Sequence, residues 1–231
     1  MKRLFLLWLI PSLMICAAAI AAESETLFDG TNTDSWEFRD GAWLIDDDGA
    51  LTCQMEEVKQ KNGEVRMKGM GYIFTKKAYE NFELTLAYKL SEGANSGVFF
   101  RTDPSDPVQA GFEIQLLDDD GFHPAKGKLD DKKLSGAFYD CQPPRSHPAK
   151  PVGKWNDFKL TCLGPTVRVE INGELVNEFN VDRWDTPLKN PDGSPNKFKT
   201  ALKDLPRRGW IGFQNHGHPV WFKQIQIREL D

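Results

Sequence analysis

The sequence predicts an all-β domain built as a sandwich of two antiparallel sheets. Short runs of alternating apolar and polar residues, separated by Gly, Pro, Asp and Asn, follow an N-terminal apolar segment, whereas helical periodicity is hard to find. In Phe82–Leu90 the even positions are apolar and the odd ones mostly polar, so one face of this strand should be buried. Asn172-Gly173 separates two such runs and is a strong hairpin signal. A closing strand in residues 221–230 is expected to pair with a strand near the N-terminus.

The first 22 residues have the pattern of a signal peptide. Basic residues precede an apolar stretch, residues 4–22, that ends in alanines before an acidic boundary. We expect cleavage after Ala21 or Ala22 and a mature protein of one domain, residues 23–231, that is periplasmic or secreted. The alternative is a membrane anchor. The break at Pro11 disfavours it, so no stable membrane span is expected.

Charge and cysteine content exclude several classes of partner and site. The chain carries 29 basic and 34 acidic residues, and removing the two basic residues of the signal peptide leaves a net charge of about −7. This charge argues against nucleic acid or an anionic membrane as a partner. Cys53, Cys141 and Cys162 are too widely spaced for a metal knuckle. In an oxidising compartment they allow at most one intramolecular disulfide, whose pairing the sequence leaves open.

Three further strands have one wholly apolar face and one face with sparse polar and aromatic groups. By period-two alternation, residues 95–101, 112–116 and 210–216 each divide their side chains in this way. If they share one curved sheet, its concave face carries Asn95, Phe99, Arg101, Glu113, Gln115, Trp210, Gln214 and His216. Such a set suits a sugar, because the polar groups bond hydroxyls and aromatic rings cover pyranose faces. The alternative interpretation is an ordinary solvated sheet face. Two long irregular stretches, residues 118–154 and 183–208, are candidates for the rim of a groove.

The sequence indicates no cofactor, although a divalent metal is compatible with it. His216 and His218 are spaced to share a strand face and chelate a metal, but no further His or Cys lies nearby. Residues 118–121 are interpreted as a turn, because the spaced ligands and the distal glutamate of a calcium loop are missing.

Several ordered motifs give the chain a family likeness. They are residues 27–30 with Trp36, residues 79–84, 95–101, 111–118 and 136–140, Trp155-Asn156, and residues 212–217. In this order they resemble the 3-keto-disaccharide hydrolase domain family, formerly a domain of unknown function, over nearly the whole mature chain. The resemblance implies a concanavalin A-like jelly roll and a small carbohydrate substrate that carries a ketone at carbon 3. The signature positions of that family fall on Asn95, Arg101, Glu113, Gln115, Asp118, Gln214 and His216.

The implied chemistry is cleavage of a glycosidic bond by elimination and hydration. A ketone at carbon 3 acidifies the hydrogen on carbon 2, so one base and a polar clamp suffice in place of two catalytic carboxylates. We expect His216 to be the base, since its ordinary pKa of about 6.5 suits proton acceptance near neutral pH, or Glu113 if the histidine is a clamp. Arg101 and the amides of Gln115 and Gln214 would hold the substrate. The alternatives are a non-catalytic carbohydrate-binding module and a structural envelope protein.

Overall fold

Fifteen strands make up almost all of the regular structure in the computed structural model, which describes residues 23–124 and 128–231. The strands are β1 (Glu25–Phe28), β2 (Trp36–Phe38), β3 (Trp43–Ile45), β4 (Leu51–Cys53), β5 (Met55–Lys59), β6 (Val65–Gly69), β7 (Ile73–Thr75), β8 (Phe82–Leu90), β9 (Asn95–Thr102), β10 (Phe112–Leu117), β11 (Asn156–Leu163), β12 (Thr166–Ile171), β13 (Glu174–Asn180), β14 (Trp210–Phe213) and β15 (Val220–Glu229). Single turns of 3-10 helix occur at Asp131–Lys133, Val181–Arg183 and Leu202–Asp204. The predicted signal peptide lies outside the described residues. Within them, no helix has the length and apolar character needed to cross a membrane.

The strands pair antiparallel in two sheets and one separate hairpin. The large sheet has the order β13-β12-β11-β8-β15-β4-β3, with β1 also paired to β15, and the small sheet has the order β10-β9-β14-β7-β2. Strands β5 and β6 form the separate hairpin. The inner faces of the two sheets meet in one core, where Phe213 of β14 stacks on Phe222 of β15 with ring centroids 4.1 Å apart. This architecture confirms the predicted all-β, concanavalin A-like sandwich.

The strands predicted from pattern alone are present. The apolar positions of β8 are buried and most of the polar ones are half-buried, as the alternation requires. Asn172 and Gly173 join β12 to β13 with φ angles of 52° and 80°, the left-handed pair that a tight hairpin turn needs. The closing strand β15 pairs with the N-terminal β1, which confirms the expected pairing.

The face of the small sheet that points away from the core is not a wet surface. Glu113 and Gln115 of β10 are only 4% and 2% exposed. A loop lies along this edge strand, with Gln115 N donating to Ala137 O at 3.0 Å and Tyr139 N donating to Glu113 O at 3.1 Å. The loop covers the strand edge and buries the polar row. The interpretation as an ordinary solvated face is therefore wrong.

Arg101 does not join that face, which corrects the sequence prediction. Its side chain is buried and its guanidinium donates from Nε to Glu80 O at 2.8 Å, from Nη1 to Gly164 O at 2.7 Å and from Nη2 to Asn81 Oδ1 at 3.3 Å. Gly164 lies in the turn between β11 and β12 of the large sheet. Arg101 thus ties the end of β9 to the large sheet.

A bulge in β9 is the physical reason. Trp210 pairs with Thr102 and Gly212 with Phe99, so two steps along β14 span three along β9. Arg101 itself has φ 49°, in the left-handed region. The extra residue breaks the period-two alternation, and the arginine turns away from the side that its spacing predicts.

Cys53, Cys141 and Cys162 are buried free thiols. No disulfide joins any of the described residues. Burial raises the pKa of Cys53 to about 11 and that of Cys162 to about 12, so both stay protonated and unreactive at neutral pH.

Replacing Arg101 by Met should destabilise the fold strongly. The substitution leaves the carbonyl oxygens of Glu80 and Gly164 buried without their donor, and each orphaned acceptor costs about 1–3 kcal/mol. We expect the free energy of unfolding, measured by urea denaturation, to fall by about 3 kcal/mol. Arg168→Met is the matched control, because Arg168 makes a half-exposed ion pair with Glu178 and should cost less than about 1 kcal/mol. Equal losses in the two variants would contradict the structural role of Arg101.

Candidate active site

The carboxylate of Glu113 lies at the centre of the candidate site. Strand β10 pairs with β9 so that Glu113 lies opposite Phe99 and Gln115 lies opposite Gly97. On the other side of β9, Gln214 N donates to Gly97 O at 3.1 Å. A Cβ at position 97 would stand 2.8 Å from Glu113 Oε1 and 3.2 Å from Gln214 Cδ. The absence of a side chain at Gly97 therefore lets Glu113 and Gln214 meet across the strand.

Burial and three neighbours set the charge state of Glu113. Burial raises the pKa of its carboxyl, while the Lys197 ammonium and a hydrogen bond from Gln214 oppose that rise. Lys197 Nζ lies 3.5 Å from Oε2. The side-chain amide of Gln115 satisfies its neighbours when its nitrogen points toward Glu113. In this orientation the nitrogen donates to Glu113 Oε1 at 3.1 Å, and the amide oxygen lies 3.2 Å from the side chain of Asn95. Glu113 is thus a carboxylate held by one cation and two amides in a nearly dry position.

Gln214 connects Glu113 to His216. Its side chain lies close enough to the Glu113 carboxyl to lower the pKa of that group, and its Oε1 lies 2.9 Å from His216 Nε2. An amide oxygen can only accept a hydrogen bond, so the histidine is the donor in this contact and the proton of the neutral imidazole lies on Nε2. Nδ1 is left as the basic nitrogen. The contact with Gln214 therefore selects one tautomer of His216.

His216 is kept neutral by its surroundings. Its ring packs near Tyr72, with centroids 5.9 Å apart, while the residue as a whole is exposed to solvent. Partial burial of the ring, then the positive charge of Lys197 and then His218, lower its pKa. A neutral imidazole with one solvent-facing side can accept a proton from a bound molecule.

Three residues that the sequence analysis did not select complete the site: Tyr72, Tyr139 and Lys197. Lys197 Nζ lies 3.9 Å from the centre of the Tyr139 ring as well as beside Glu113. Burial first, and Glu113 second, raise the pKa of Tyr139 to about 12 and also raise the pKa of Tyr72, so both keep their hydroxyl protons. Tyr139 falls within one of the family motifs, but Lys197 is one of many charged loop residues and has no pattern that distinguishes it.

Five of the eight predicted site residues come together: Asn95, Glu113, Gln115, Gln214 and His216. Arg101 is turned away, as described above. Phe99 is on the predicted face but is fully buried beneath Tyr72, with centroids 5.5 Å apart, so it offers no surface to a substrate. Trp210 is half-buried opposite Thr102 at the other end of β14, and no hydrogen bond or ring contact of the described residues joins it to the cluster.

Nowhere in residues 23–124 and 128–231 do three or more His, Cys, Asp or Glu side chains gather as metal ligands would. His216 and His218 do not converge on one point, since the His218 ring lies beside Gly93 while His216 faces Gln214. Asp118 is engaged with backbone donors, because its carboxylate accepts from Gly93 N at 2.8 Å and Gly121 N at 3.1 Å. These contacts hold the turn together.

Lys197→Met should raise the pKa of both Glu113 and His216. The ammonium lowers the pKa of each group, because it favours the charged carboxylate and disfavours the charged imidazolium. Side-chain NMR titration of the glutamate carboxyl carbon and the histidine ring protons should show both midpoints moving to higher pH. Lys199→Met, in the same loop and exposed, is the control and should move neither midpoint. Movement of the two midpoints in opposite directions would contradict this electrostatic assignment.

Glu113→Gln should make the protein more stable at neutral pH. A carboxyl whose pKa is raised in the folded state stabilises the fold fully only below the pKa of the unfolded chain, about 4.3, and this stabilisation is lost as pH rises through the folded value. The advantage of the variant in urea denaturation should therefore be small at acidic pH and grow toward neutrality. Glu178→Gln, which changes a half-exposed carboxylate on the large sheet, is the control measured in parallel. If the variant were less stable than the wild type at every pH, the ionised Glu113 carboxyl would not be destabilising the fold.

Comparison with known proteins identifies the family of the chain. The sequence-family model for the 3-keto-alpha-glucoside-1,2-lyase-like domain matches residues 23–228 of the chain. A 3-keto-disaccharide hydrolase of Bacteroides thetaiotaomicron is 29% identical in an alignment 231 residues long. The alignment covers 89% of this chain and 78% of that protein. The crystal structure of a presumed glycosyl hydrolase from Parabacteroides distasonis matches 90% of this chain and 100% of its own, with 32% identity and a TM-score of 0.76. A second structure from that organism shares the fold at 24% identity and a TM-score of 0.71. The chain belongs to the family of 3-keto-alpha-glucoside-1,2-lyase-like domains.

Proposed function

We propose that the protein cleaves the glycosidic bond of 3-keto-glucosides or 3-keto-disaccharides by elimination and hydration. The observation that carries the proposal is the cluster of a buried carboxylate, Glu113, and a neutral imidazole, His216, which Gln214 holds by one ring nitrogen, beside the ammonium of Lys197. The name of the Bacteroides relative, a 3-keto-disaccharide hydrolase, supports the same substrate class. Action in the periplasm or outside the cell remains a prediction from the N-terminal sequence.

The first step is removal of the proton on carbon 2 of the keto sugar. His216 Nδ1 is the base, because its ring is open to solvent on one side and its Nε2 proton is engaged by Gln214. Glu113 is only 4% exposed and acts through Gln214, fixing the tautomer and stabilising the imidazolium that forms. In this assignment His216 is the catalytic residue and Glu113 is a positioning residue.

The electron pair of the broken carbon–hydrogen bond moves onto the oxygen at carbon 3 and forms an enolate. Lys197 is the nearest cation to this part of the site, and the protonated hydroxyls of Tyr72 and Tyr139 supply further donors. Collapse of the enolate restores the ketone, forms a double bond between carbons 1 and 2 and breaks the bond between carbon 1 and the glycosidic oxygen, which takes up the proton that His216 has removed from carbon 2. Addition of water across the new double bond then completes a net hydrolysis.

A non-catalytic sugar-binding module fits these observations less well. Such a module needs exposed rings and neutral amides, whereas Phe99 is buried and the site brings together a carboxylate, an ammonium and an imidazole. Groups whose pKa values are displaced by burial and by each other are typical of catalytic sites.

Replacing His216 by Ala or Glu113 by Gln should lower kcat about a hundredfold or more on a 3-keto-glucoside such as 3-keto-trehalose, because either change removes the oriented base. In heavy water the wild type should place deuterium at carbon 2 of the released keto sugar. Turnover is followed by chromatography of the released sugar, and the label by mass spectrometry.

His218→Ala is the matched control for this experiment. It removes a nearby imidazole that lies beside Gly93 instead of Gln214, so kcat should stay within a few-fold of the wild type. Full activity in both the His216 and Glu113 variants would overturn the proposal. Equal cleavage of the unoxidised glycoside would do the same, since that substrate has no acidic hydrogen at carbon 2.

A further inference from the structure

The candidate base, His216, is carried by a loop that joins β14 to β15. The loop starts from a fixed point on the small sheet, because Ser96 Oγ donates to Gln214 O at 2.9 Å. His216 itself is exposed to solvent, whereas Asn215 before it is 5% exposed and Gly217 after it is also buried. The direction of the His216 side chain therefore depends on what holds its two buried neighbours.

The side-chain amide of Asn215 uses both of its ends to hold the backbone of this loop. Its Nδ2 donates to Gln54 O at 2.7 Å, and its Oδ1 accepts from Gly217 N at 3.1 Å. The second contact closes an Asx turn around His216, since it joins a side chain to the backbone two residues further on. Gly217 has φ 93°, a left-handed angle that glycine adopts without steric cost. The backbone is thus fixed on both sides of His216.

The end of β4 in the large sheet is the anchor for this turn. Gln54, which follows β4, accepts hydrogen bonds at its carbonyl oxygen from Met70 N at 3.1 Å as well as from Asn215. The preceding residue, Cys53, donates from its thiol to His218 O at 3.4 Å. Two adjacent residues at the end of one strand therefore hold the loop on both sides of the candidate base.

The hairpin of β5 and β6 fills the remaining space beside Asn215. A Cβ at Gly69, the last residue of β6, would overlap both the backbone oxygen and the side-chain oxygen of Asn215. Gly69 does not have a left-handed φ, so only the lack of space excludes a side chain there. A Cβ at Gly217 would likewise stand 3.1 Å from Met67 O of the same strand. The turn thus packs against β6 and is hydrogen-bonded to the end of β4.

These contacts bear on the imidazole because Gln214 and His216 are only two residues apart. The 2.9 Å contact between Gln214 Oε1 and His216 Nε2 joins two side chains whose separation is set by the backbone angles of Asn215. A turn that opens at Asn215 separates these side chains and frees the imidazole to rotate. A side chain that fixes the turn therefore fixes the basic nitrogen as well.

We infer that Asn215 is a positioning residue for His216. By holding the turn against Gln54 and Gly69, it keeps Nε2 of the imidazole on Gln214 and leaves Nδ1 free for a bound substrate. The catalytic part of this inference rests on the proposed function, in which His216 is the base. Its structural part, a fixed imidazole, is measurable on the ligand-free protein.

Asn215→Leu is the main test, because leucine has a similar size and forms neither hydrogen bond. NMR titration of the ring protons gives the pKa of His216, and the nuclear Overhauser contact with the Tyr72 ring, whose centroid lies 5.9 Å away, gives its position. We expect the contact to weaken and the pKa to rise toward its ordinary value of about 6.5, because the ring loses its partly buried place. On 3-keto-trehalose, kcat should fall about tenfold or more while KM changes by less than about threefold.

Asn156→Leu is the matched control for the loss of a buried asparagine. Asn156 is 3% exposed and holds another loop, since its Oδ1 accepts from Lys150 N at 2.7 Å and from Asn172 Nδ2 at 2.8 Å. Its replacement should lower the thermal midpoint, as that of Asn215 does, but should leave the NMR signals of His216 and kcat unchanged.

Gly69→Ala tests the same turn with Asn215 still present. The added methyl group displaces Asn215, so the ring contact and the pKa of His216 should change in the same direction as in the leucine variant. Val65→Ala, at an exposed position of the same strand, is its control and should change neither. This pair decides the question if the leucine variant does not fold.

The inference is overturned if Asn215→Leu and Gly69→Ala both leave the ring contact and the pKa of His216 as in the wild type. It is also overturned if Asn156→Leu changes them equally, because they would then follow stability alone. A wild type that does not cleave 3-keto-glucosides contradicts the proposed function, while the NMR measurements still decide whether Asn215 holds the imidazole.

Discussion

The burial of the Glu113 carboxylate against Lys197 is the interaction on which the candidate site depends. A carboxylate that is nearly dry needs partners, and here an ammonium at 3.5 Å and the amides of Gln115 and Gln214 supply them. Once the Gln214 nitrogen faces the carboxylate, its oxygen faces His216 and decides which imidazole nitrogen is basic. One buried charge thus orients a side chain that it does not touch.

The loops are as much a part of this site as the sheet. Strand β10 is an edge strand of the small sheet. Backbone hydrogen bonds from Tyr139 N to Glu113 O and from Gln115 N to Ala137 O hold a loop along it. Tyr139, from that loop, and Lys197, from a second loop, contact each other, and the Lys197 ammonium lies 3.5 Å from the Glu113 carboxylate. A sheet face that would otherwise be wet becomes a low-dielectric pocket, in which charges influence one another strongly.

Much of this fold could be predicted from sequence because its strands obey local rules. Alternation identified β8, the Asn172-Gly173 pair identified a hairpin, and the outward rows of β9 and β10 contained Asn95, Glu113 and Gln115 as expected. Alternation fails where the backbone departs from it. The bulge at Arg101 involves a left-handed φ at a residue type that gives no warning of it.

The other wrong site predictions have a different cause, which is that the residues in contact come from distant parts of the chain. Phe99 is covered by Tyr72, and Trp210 is separated from the cluster by the pairing of β14, neither of which a single strand can reveal. Lys197 lies in an irregular loop rich in lysine, so only the fold distinguishes it from its exposed neighbours. Sequence reasoning finds residues that a strand positions, and misses those that a loop brings from elsewhere.

Gly97 makes the site fragile at a position that performs no chemistry. Its φ does not lie in the left-handed region, so the backbone would accept alanine, yet the new methyl group would press on Glu113 and Gln214 at once. A single nucleotide change converts a glycine codon into an alanine codon. A gene of this family could therefore lose the carboxylate–amide contact in one mutation while the sandwich still folds. Among relatives, an alanine at this place would mark proteins that kept the architecture without the carboxylate and amide arrangement of the candidate site.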